Sequence, residues 1–263
     1  MSEYYSEYVK TNAHGQKMER EICEVEIRGT KTIGIPMWMI NNYIKSTCDN
    51  YAKLVCILNM VDIFSNKESD IIDIGISTAS VPIGTDGRDF ENRLIDYVRG
   101  SKAGKNKEKY CLMSHIPKKG EKGFEHYFSN CERPICFAIT KDNGVILLYD
   151  PRGEEGIKVS DISYHSPIDI GLSGISKCIE LLVNAGTQAR NDKRLQDEHE
   201  ARMVTQALQT MEEAISVQNK LQNANLPGSH KEYLQSMYDG LMEKQEKLNE
   251  TIGIRCLGIS VKV

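Results

Sequence analysis

The sequence lacks any uninterrupted apolar run long enough to cross a bilayer, which takes about 20 residues in a helix. The longest apolar-rich stretch, residues 33–64, is broken by Pro36 and by charged side chains such as Lys45 and Asp62. We expect no secretory leader either, because residues 1–12 hold three tyrosines and two acidic residues where a basic segment and an apolar run belong. We therefore expect no membrane span and a cytoplasmic location, either where the protein is made or in a host cytosol reached without a classical signal peptide.

The chain has no surplus of positive charge. It contains 33 Lys and Arg against 37 Asp and Glu, which gives a net charge of −4. Proteins that bind nucleic acid need a basic face for the phosphate backbone, so this balance argues against that class. Lysines do cluster between residues 102 and 122, but glycines interleave them, which is typical of solvated loops.

Cys-x-x-Cys pairs are absent, although the chain has eight cysteines. Thiols that are widely spaced and unpaired in sequence are typical of a reducing compartment, so we expect no disulfides. The cysteines are Cys23, Cys48, Cys56, Cys111, Cys131, Cys136, Cys178 and Cys256.

Residues 1–165 have the pattern of an α+β domain with a mixed or antiparallel sheet. Apolar and charged residues alternate over 23–28, as in a half-buried strand. Pro36 suits the first turn of a helix, and a stripe of apolar residues follows it as far as Val61. Trp38, at the start of this helix, is expected to anchor the core.

Residues 166–253 are expected to form an antiparallel helical hairpin, and residues 254–263 a strand-like tail that docks on the body. Apolar residues recur at steps of three and four on both sides of Pro227, which cannot continue a helix interior. The resulting stripes either pack within the chain or bind a partner helix, and the sequence leaves both alternatives open. The residues predicted to bind a partner are Leu208, Met211, Ile215, Leu234, Met237 and Leu241.

Residues 135–150 predict a β-hairpin inside the sheet. Two apolar runs flank Asp142-Asn143-Gly144, and Asn-Gly favours the positive backbone angles of a tight turn. Asp150 ends the second run and begins the sequence Asp-Pro-Arg-Gly, which fits a type I turn. This pattern gives Asp150 a structural interpretation.

The same hairpin resembles the histidine-to-aspartate hairpin of papain-like cysteine hydrolases and related acetyltransferases among bacterial effectors. In those families a histidine opens the first strand and an acid closes the second, in a pattern like residues 147–151 with Asp150 as the acid. The resemblance implies a cysteine-dependent hydrolase or acyltransferase that acts on a protein, with Asp150 orienting the base. The histidine position holds Arg133 or Pro134 here, and arginine stays protonated, so it cannot accept a thiol proton.

His126 is the nearest replacement for that base, and two cysteines are candidates for the nucleophile. Cys48 gives the order Cys-His-Asp of the papain-like enzymes, and Cys178 gives the order His-Asp-Cys of the acetyltransferases. A helix is predicted to begin close to Cys178, where the partial positive charge of the helix end favours a thiolate. Cys48 falls within a predicted helix, where a thiol is typically a small core residue.

A structural zinc site is a further hypothesis. Cys111, His115, His126 and Cys131 form a C-x3-H-x10-H-x4-C series, and thiolates and imidazoles are the ligands that structural zinc prefers. A site closed by these residues would order the loop that is rich in lysine and glycine. Apart from this alternative, no cofactor is expected.

The sequence shows amphipathic helices but no complete catalytic set. The leading hypothesis is therefore a cytosolic protein-interaction or assembly factor that binds another protein, or a second copy of itself, through its C-terminal helices. The cysteine-dependent enzyme is the alternative.

Overall fold

The computed structural model describes residues 20–29, 35–65, 70–77, 110–123, 131–142, 144–153, 155–163, 168–186, 214–223 and 228–261. Within these ranges the chain is an α+β protein with helices and antiparallel sheets, which confirms the predicted fold class.

Eight strands and four helices make up the described elements. The strands are β1 (Ile22–Gly29), β2 (Ile71–Ser77), β3 (Tyr110–Leu112), β4 (Ile135–Thr140), β5 (Val145–Tyr149), β6 (Lys158–Ser163), β7 (Asp169–Ile175) and β8 (Ile254–Val261). The helices are α1 (Met37–Ser65), α2 (Ser176–Val183), α3 (214–223) and α4 (Gly228–Ile252), and a 3-10 turn covers Met113–His115. No helix among these described residues is long and apolar enough to span a membrane.

The chain divides into two compact units, each assembled from separate stretches of sequence. The first unit includes the described parts of Val55–Glu155 and Lys220–Met237 and contains a sheet of order β3-β2-β4-β5. The second includes the described parts of Arg20–Leu54, Gly156–Asn219 and Tyr238–Val263 and contains a sheet of order β6-β7-β1-β8. The two units alternate along the chain.

Strand β1 lies inside the sheet of the second unit, where it pairs antiparallel with β7 and β8. Cys23, Val25 and Ile27 are buried, as their alternation predicts. The tail forms β8, and Gly253 separates this strand from α4. The φ of Gly253 is 71°, the left-handed conformation that commonly ends a helix, and the Gly253 amide bonds to the Asn249 carbonyl at 2.8 Å.

Residues Asp169–Ile175 form β7, although the sequence analysis placed them at the start of the helical hairpin. Ile170 and Leu172 are buried in this strand, while Gly171 and Gly174 are poor helix formers. Antiparallel pairing with β1 and β6 holds this segment extended. Helix follows only from Ser176.

The hairpin of β4 and β5 is present, and the Thr140 amide bonds to the Gly144 carbonyl at 3.0 Å where the chain reverses. Strand β4 lies between β2 and β5, whereas β5 lies at one end of the described sheet rather than inside it. One face of the sheet carries an apolar cluster, against which Tyr110 packs edge-on to Phe137 with 6.0 Å between ring centres. The cluster consists of Leu112, Ile135, Phe137, Ile139, Val145 and Leu147.

Gly75 allows the strands to pack closely beneath this cluster. A Cβ at this position would lie 2.6 Å from the Phe137 ring, 2.7 Å from the Leu112 side chain and 2.9 Å from the Cys111 carbonyl.

Because one of these neighbours is backbone, Gly75→Ala is expected to lower the free energy of unfolding by about 2 kcal/mol in urea denaturation. Gly240→Ala is the matched control: Gly240 lies within α4 with nothing within 4 Å of an added Cβ, so the same change should raise stability by about 1 kcal/mol. Equal effects at the two sites would contradict the packing argument.

A polar network is buried where α1 and α4 meet within the second unit. The Asn50 side-chain amide donates to the Gln245 carbonyl oxygen at 2.8 Å, and Gln245 in turn donates to the Thr47 hydroxyl at 3.1 Å. Asn249 lies one turn further along α4 and accepts hydrogen bonds from Gln245 at 3.1 Å and from the Tyr43 hydroxyl at 3.2 Å. These polar side chains are satisfied by one another, as buried groups must be.

Candidate functional site

Asp150 has the geometry of a turn residue. Its side chain is fully buried, and its carboxylate accepts a hydrogen bond from the Arg152 amide at 2.9 Å and a second from the Arg152 guanidinium at 2.6 Å. The Gly153 amide bonds to the Asp150 carbonyl at 3.0 Å, which closes the predicted turn. The neighbouring arginine therefore neutralises the carboxylate that the resemblance assigns to orienting a base.

Cys178 is the third residue of α2, close to the positive end of the helix. Its exposed fraction is 0%, and the residues that follow it in the helix are buried as well. A nucleophile must meet its substrate, so this thiol would need the surrounding core to open before it could react. Cys48 is partly buried and lies well inside α1, where the backbone amides are bonded within the helix.

The catalytic set, which is Cys48 or Cys178 with His126 and Asp150, stays a prediction. Asp150 belongs to the first unit, and Cys48 and Cys178 belong to the second. His126, the predicted base, lies outside the described residues.

Two of the four predicted zinc ligands are brought together in the first unit. The thiols of Cys111 and Cys131 are hydrogen-bonded, and the bond from Cys131 lowers the pKa of Cys111 because it stabilises the thiolate. His115 is exposed at the end of the 3-10 turn, and His126 lies outside the described residues. Among the residues that the structure describes, no three Cys, His, Asp or Glu side chains are grouped as metal ligands, so zinc stays a prediction.

The residues predicted to bind a partner differ in their exposure. Leu234 and Leu241 are 0% and 7% exposed, so the chain's own core covers them, and Met237 is half-buried. Ile215 is 52% exposed on α3. Leu208 and Met211 lie outside the described residues.

The expectation that Trp38 anchors the core is wrong. Trp38 is 69% exposed and Met37 is 55% exposed, in the first turn of α1 directly after Pro36. Ile40 and Tyr43, on the other side of the helix, are buried instead. A signal for this was present in the sequence, because residues 41, 42 and 45 share a helix face with Trp38 and are all polar.

These residues define the Trp38 surface, which consists of Met37, Trp38, Asn41, Asn42 and Lys45 and is exposed throughout. The first turn of α1 contains no acidic side chain, so no carboxylate of that turn offsets the partial positive charge of the helix end. The surface thus combines an aromatic and a thioether side chain with a polar border, next to the positive end of the helix.

No protein-family model, curated protein or solved structure matches this chain.

Proposed function

We propose that the protein is a protein-interaction factor and that the Trp38 surface is its principal contact with a partner protein. The observation that carries the proposal is the 69% exposure of the only tryptophan in the chain. Tryptophan is the residue most enriched among those that dominate binding energy at interfaces. Leaving so large an apolar side chain in water has a free-energy cost that contact with a partner would remove.

The composition of the surface indicates what the partner offers. An indole and a thioether side chain fit an apolar pocket, and the border of Asn41, Asn42 and Lys45 can hydrogen-bond around it. The partial positive charge of the helix end favours carboxylates at the rim of that pocket. The proposed partner is therefore a different protein, with an apolar pocket that is bordered by acidic residues.

The proposed contact lies on α1 and not on the apolar stripes of the C-terminal helices. Leu234 and Leu241 stabilise the fold from within, so a partner cannot reach them while α4 keeps its place. Ile215 remains exposed and provides a direct comparison between the two surfaces.

Cross-linking next to Trp38 and the fluorescence of Trp38 itself can test this proposal. A photo-reactive benzoylphenylalanine at Asn42, in the cells that make the protein, would cross-link whatever covers the surface. The partner identified by the cross-link is then purified and titrated into this protein. Binding should shift the Trp38 fluorescence to shorter wavelength, because it removes water from the indole. Trp38→Ala should weaken that binding about 30-fold, as expected for an interface residue worth about 2 kcal/mol.

Ile215→Ala is the matched control, since it truncates another exposed apolar side chain on a different helix. It should leave the affinity within about twofold of the unmodified protein if binding lies at the Trp38 surface. Three outcomes would overturn the proposal: no cross-linked protein, cross-linking only to further copies of this chain, or a partner whose affinity falls with Ile215→Ala and not with Trp38→Ala.

A further inference from the structure

Strand β6 is an exposed edge of the sheet in the second unit. It pairs antiparallel with β7 and is the outermost strand in the order of the described sheet. Residues 158–161 are all exposed, and Val159 is 38% exposed. The terminal strands of the other sheet differ, because Leu112 of β3 and Leu148 of β5 are 8% and 5% exposed and are covered by the chain itself. Strand β6 therefore presents backbone groups with which a further strand can pair.

The sequence of β6 is symmetric in charge and hydropathy about its centre. Residues 157–162 are Ile-Lys-Val-Ser-Asp-Ile. When two copies lie antiparallel about a two-fold axis at the centre of this segment, Lys158 of each copy lies opposite Asp161 of the other. The same register places Ile157 of each copy opposite Ile162 of the other. Opposite charges and apolar side chains that face each other across two strands stabilise the pairing.

A β-bulge at Ser160 brings the two charges to one face of the strand. Asp161 pairs with Gly171 of β7 and Lys158 pairs with Ser173, so the bulged strand has one residue more than β7 over this interval. Because the two partners on β7 are two residues apart, Lys158 and Asp161 project from the same face. In a regular strand, residues three apart project from opposite faces. The bulge is therefore what allows the lysine of one copy to meet the aspartate of the other.

The pattern of charges distinguishes this edge from one that prevents pairing. A lysine or a bulge on an edge strand commonly keeps other strands away. Against a second copy, a charge protects an edge only when it meets its like. In the symmetric register Lys158 meets Asp161 and not another lysine, so the charges favour the approach of a second copy.

We propose that β6 is a self-association edge, at which two copies of the chain pair antiparallel and join their four-stranded sheets. The contact lies on a different element from the Trp38 surface, and the proposal does not depend on that surface. A pair of short strands buries less area than a stable dimer interface, so the dimer is weak and depends on concentration.

Sedimentation velocity of the full chain, from about 1 µM to about 300 µM, measures this association. The unmodified protein should shift from the mass of one chain to that of two as its concentration rises. Lys158→Asp places two acids opposite each other twice in the dimer, and Asp161→Lys does the same with two lysines. Each variant should weaken association at least about tenfold. Both side chains are exposed, so the circular dichroism spectrum of each variant should be unchanged.

A mixture of the two single variants gives the sharper test. When Lys158→Asp pairs with Asp161→Lys, opposite charges face each other at both positions, so the mixture should associate about as tightly as the unmodified protein. A chain with both substitutions should also associate, because the charges are exchanged and still complementary. Pairing of β6 with β6 in the symmetric register predicts both recoveries.

Lys244→Asp is the matched control, since it makes the same change of charge at an exposed position on α4 of the same unit. It should leave the dissociation constant within about twofold of the unmodified protein. Four results would each overturn the proposal: a single chain at every concentration, association that either β6 variant leaves unchanged, an equal loss with Lys244→Asp, or no recovery in the mixture.

Discussion

Replacing Asn249 with leucine is expected to lower the free energy of unfolding by about 4 kcal/mol, because this side chain completes both a helix end and a buried network. Asn249 is 2% exposed, and its amide nitrogen lies 2.8 Å from the Leu182 carbonyl, 3.2 Å from that of Val183 and 3.2 Å from that of Ala185. Leu182 and Val183 are the last residues of α2 and Ala185 follows the helix, and the Leu182 carbonyl also accepts a hydrogen bond from the Ala185 amide at 3.3 Å. Leucine would remove the buried side-chain donor that these three carbonyls share.

The acceptor side of Asn249 adds to this loss. Its oxygen receives hydrogen bonds from Tyr43 and Gln245, and leucine would remove this acceptor from the buried network. Urea denaturation measures the change, with Lys244→Leu as the control because Lys244 is exposed on the same helix. The control should change stability by less than about 0.5 kcal/mol. A loss below about 1 kcal/mol for Asn249→Leu would mean that the network contributes little to the fold.

The sequence predicted local structure well where a residue type had a direct steric effect. Helix α1 begins at Met37, immediately after Pro36, because proline fixes a helical φ and lacks the amide that the first turn leaves unbonded. The strands around Asp142 and Gly144 pair as predicted, since their apolar runs and the turn residues favour the same register. In both cases the determining residues are neighbours in the chain.

The prediction failed where distant parts of the chain decide the outcome. Residues 169–175 have a short apolar pattern that fits a strand or a helix, and pairing with β1 and β6 selects the strand. The apolar stripe of α4 was open to two interpretations, and the burial of Leu234 follows from contacts that no local pattern specifies. Neither could be read from neighbouring residues alone.

The candidate sites also contain some features that the local sequence predicts and others that depend on distant parts of the chain. The series of cysteines and histidines suggested a zinc site, which stays a prediction, and of its four residues the structure relates only Cys111 and Cys131 through the hydrogen bond that lowers the pKa of Cys111. The exposure of Trp38 was missed because tryptophan is usually buried, although its polar neighbours at positions 41, 42 and 45 indicated the solvent face. The pairing of Asp150 with Arg152 was foreseen only as a turn, since turn statistics do not specify a side-chain ion pair.

Replacing Arg152 with methionine is expected to lower the free energy of unfolding by about 3 kcal/mol, because it leaves a fully buried carboxylate without its counter-ion. The Asp150 side chain is 0% exposed, whereas that of Arg152 is 25% exposed and can reach water. Removing the arginine is therefore more harmful than its own exposure suggests. Urea denaturation near neutral pH, where a carboxylate is normally ionised, measures the loss.

Arg152→Lys is the matched control, since lysine keeps the charge but cannot reproduce the forked contact to both carboxylate oxygens. It should lose less stability than methionine, and an equal loss would mean that shape, not charge, holds the turn. The same pair of variants tests the role of Asp150. A carboxylate held by Arg152 for structure predicts a stability loss graded by charge, whereas one that orients a catalytic base predicts little change in stability. Unchanged unfolding in both variants would thus return Asp150 to the catalytic hypothesis.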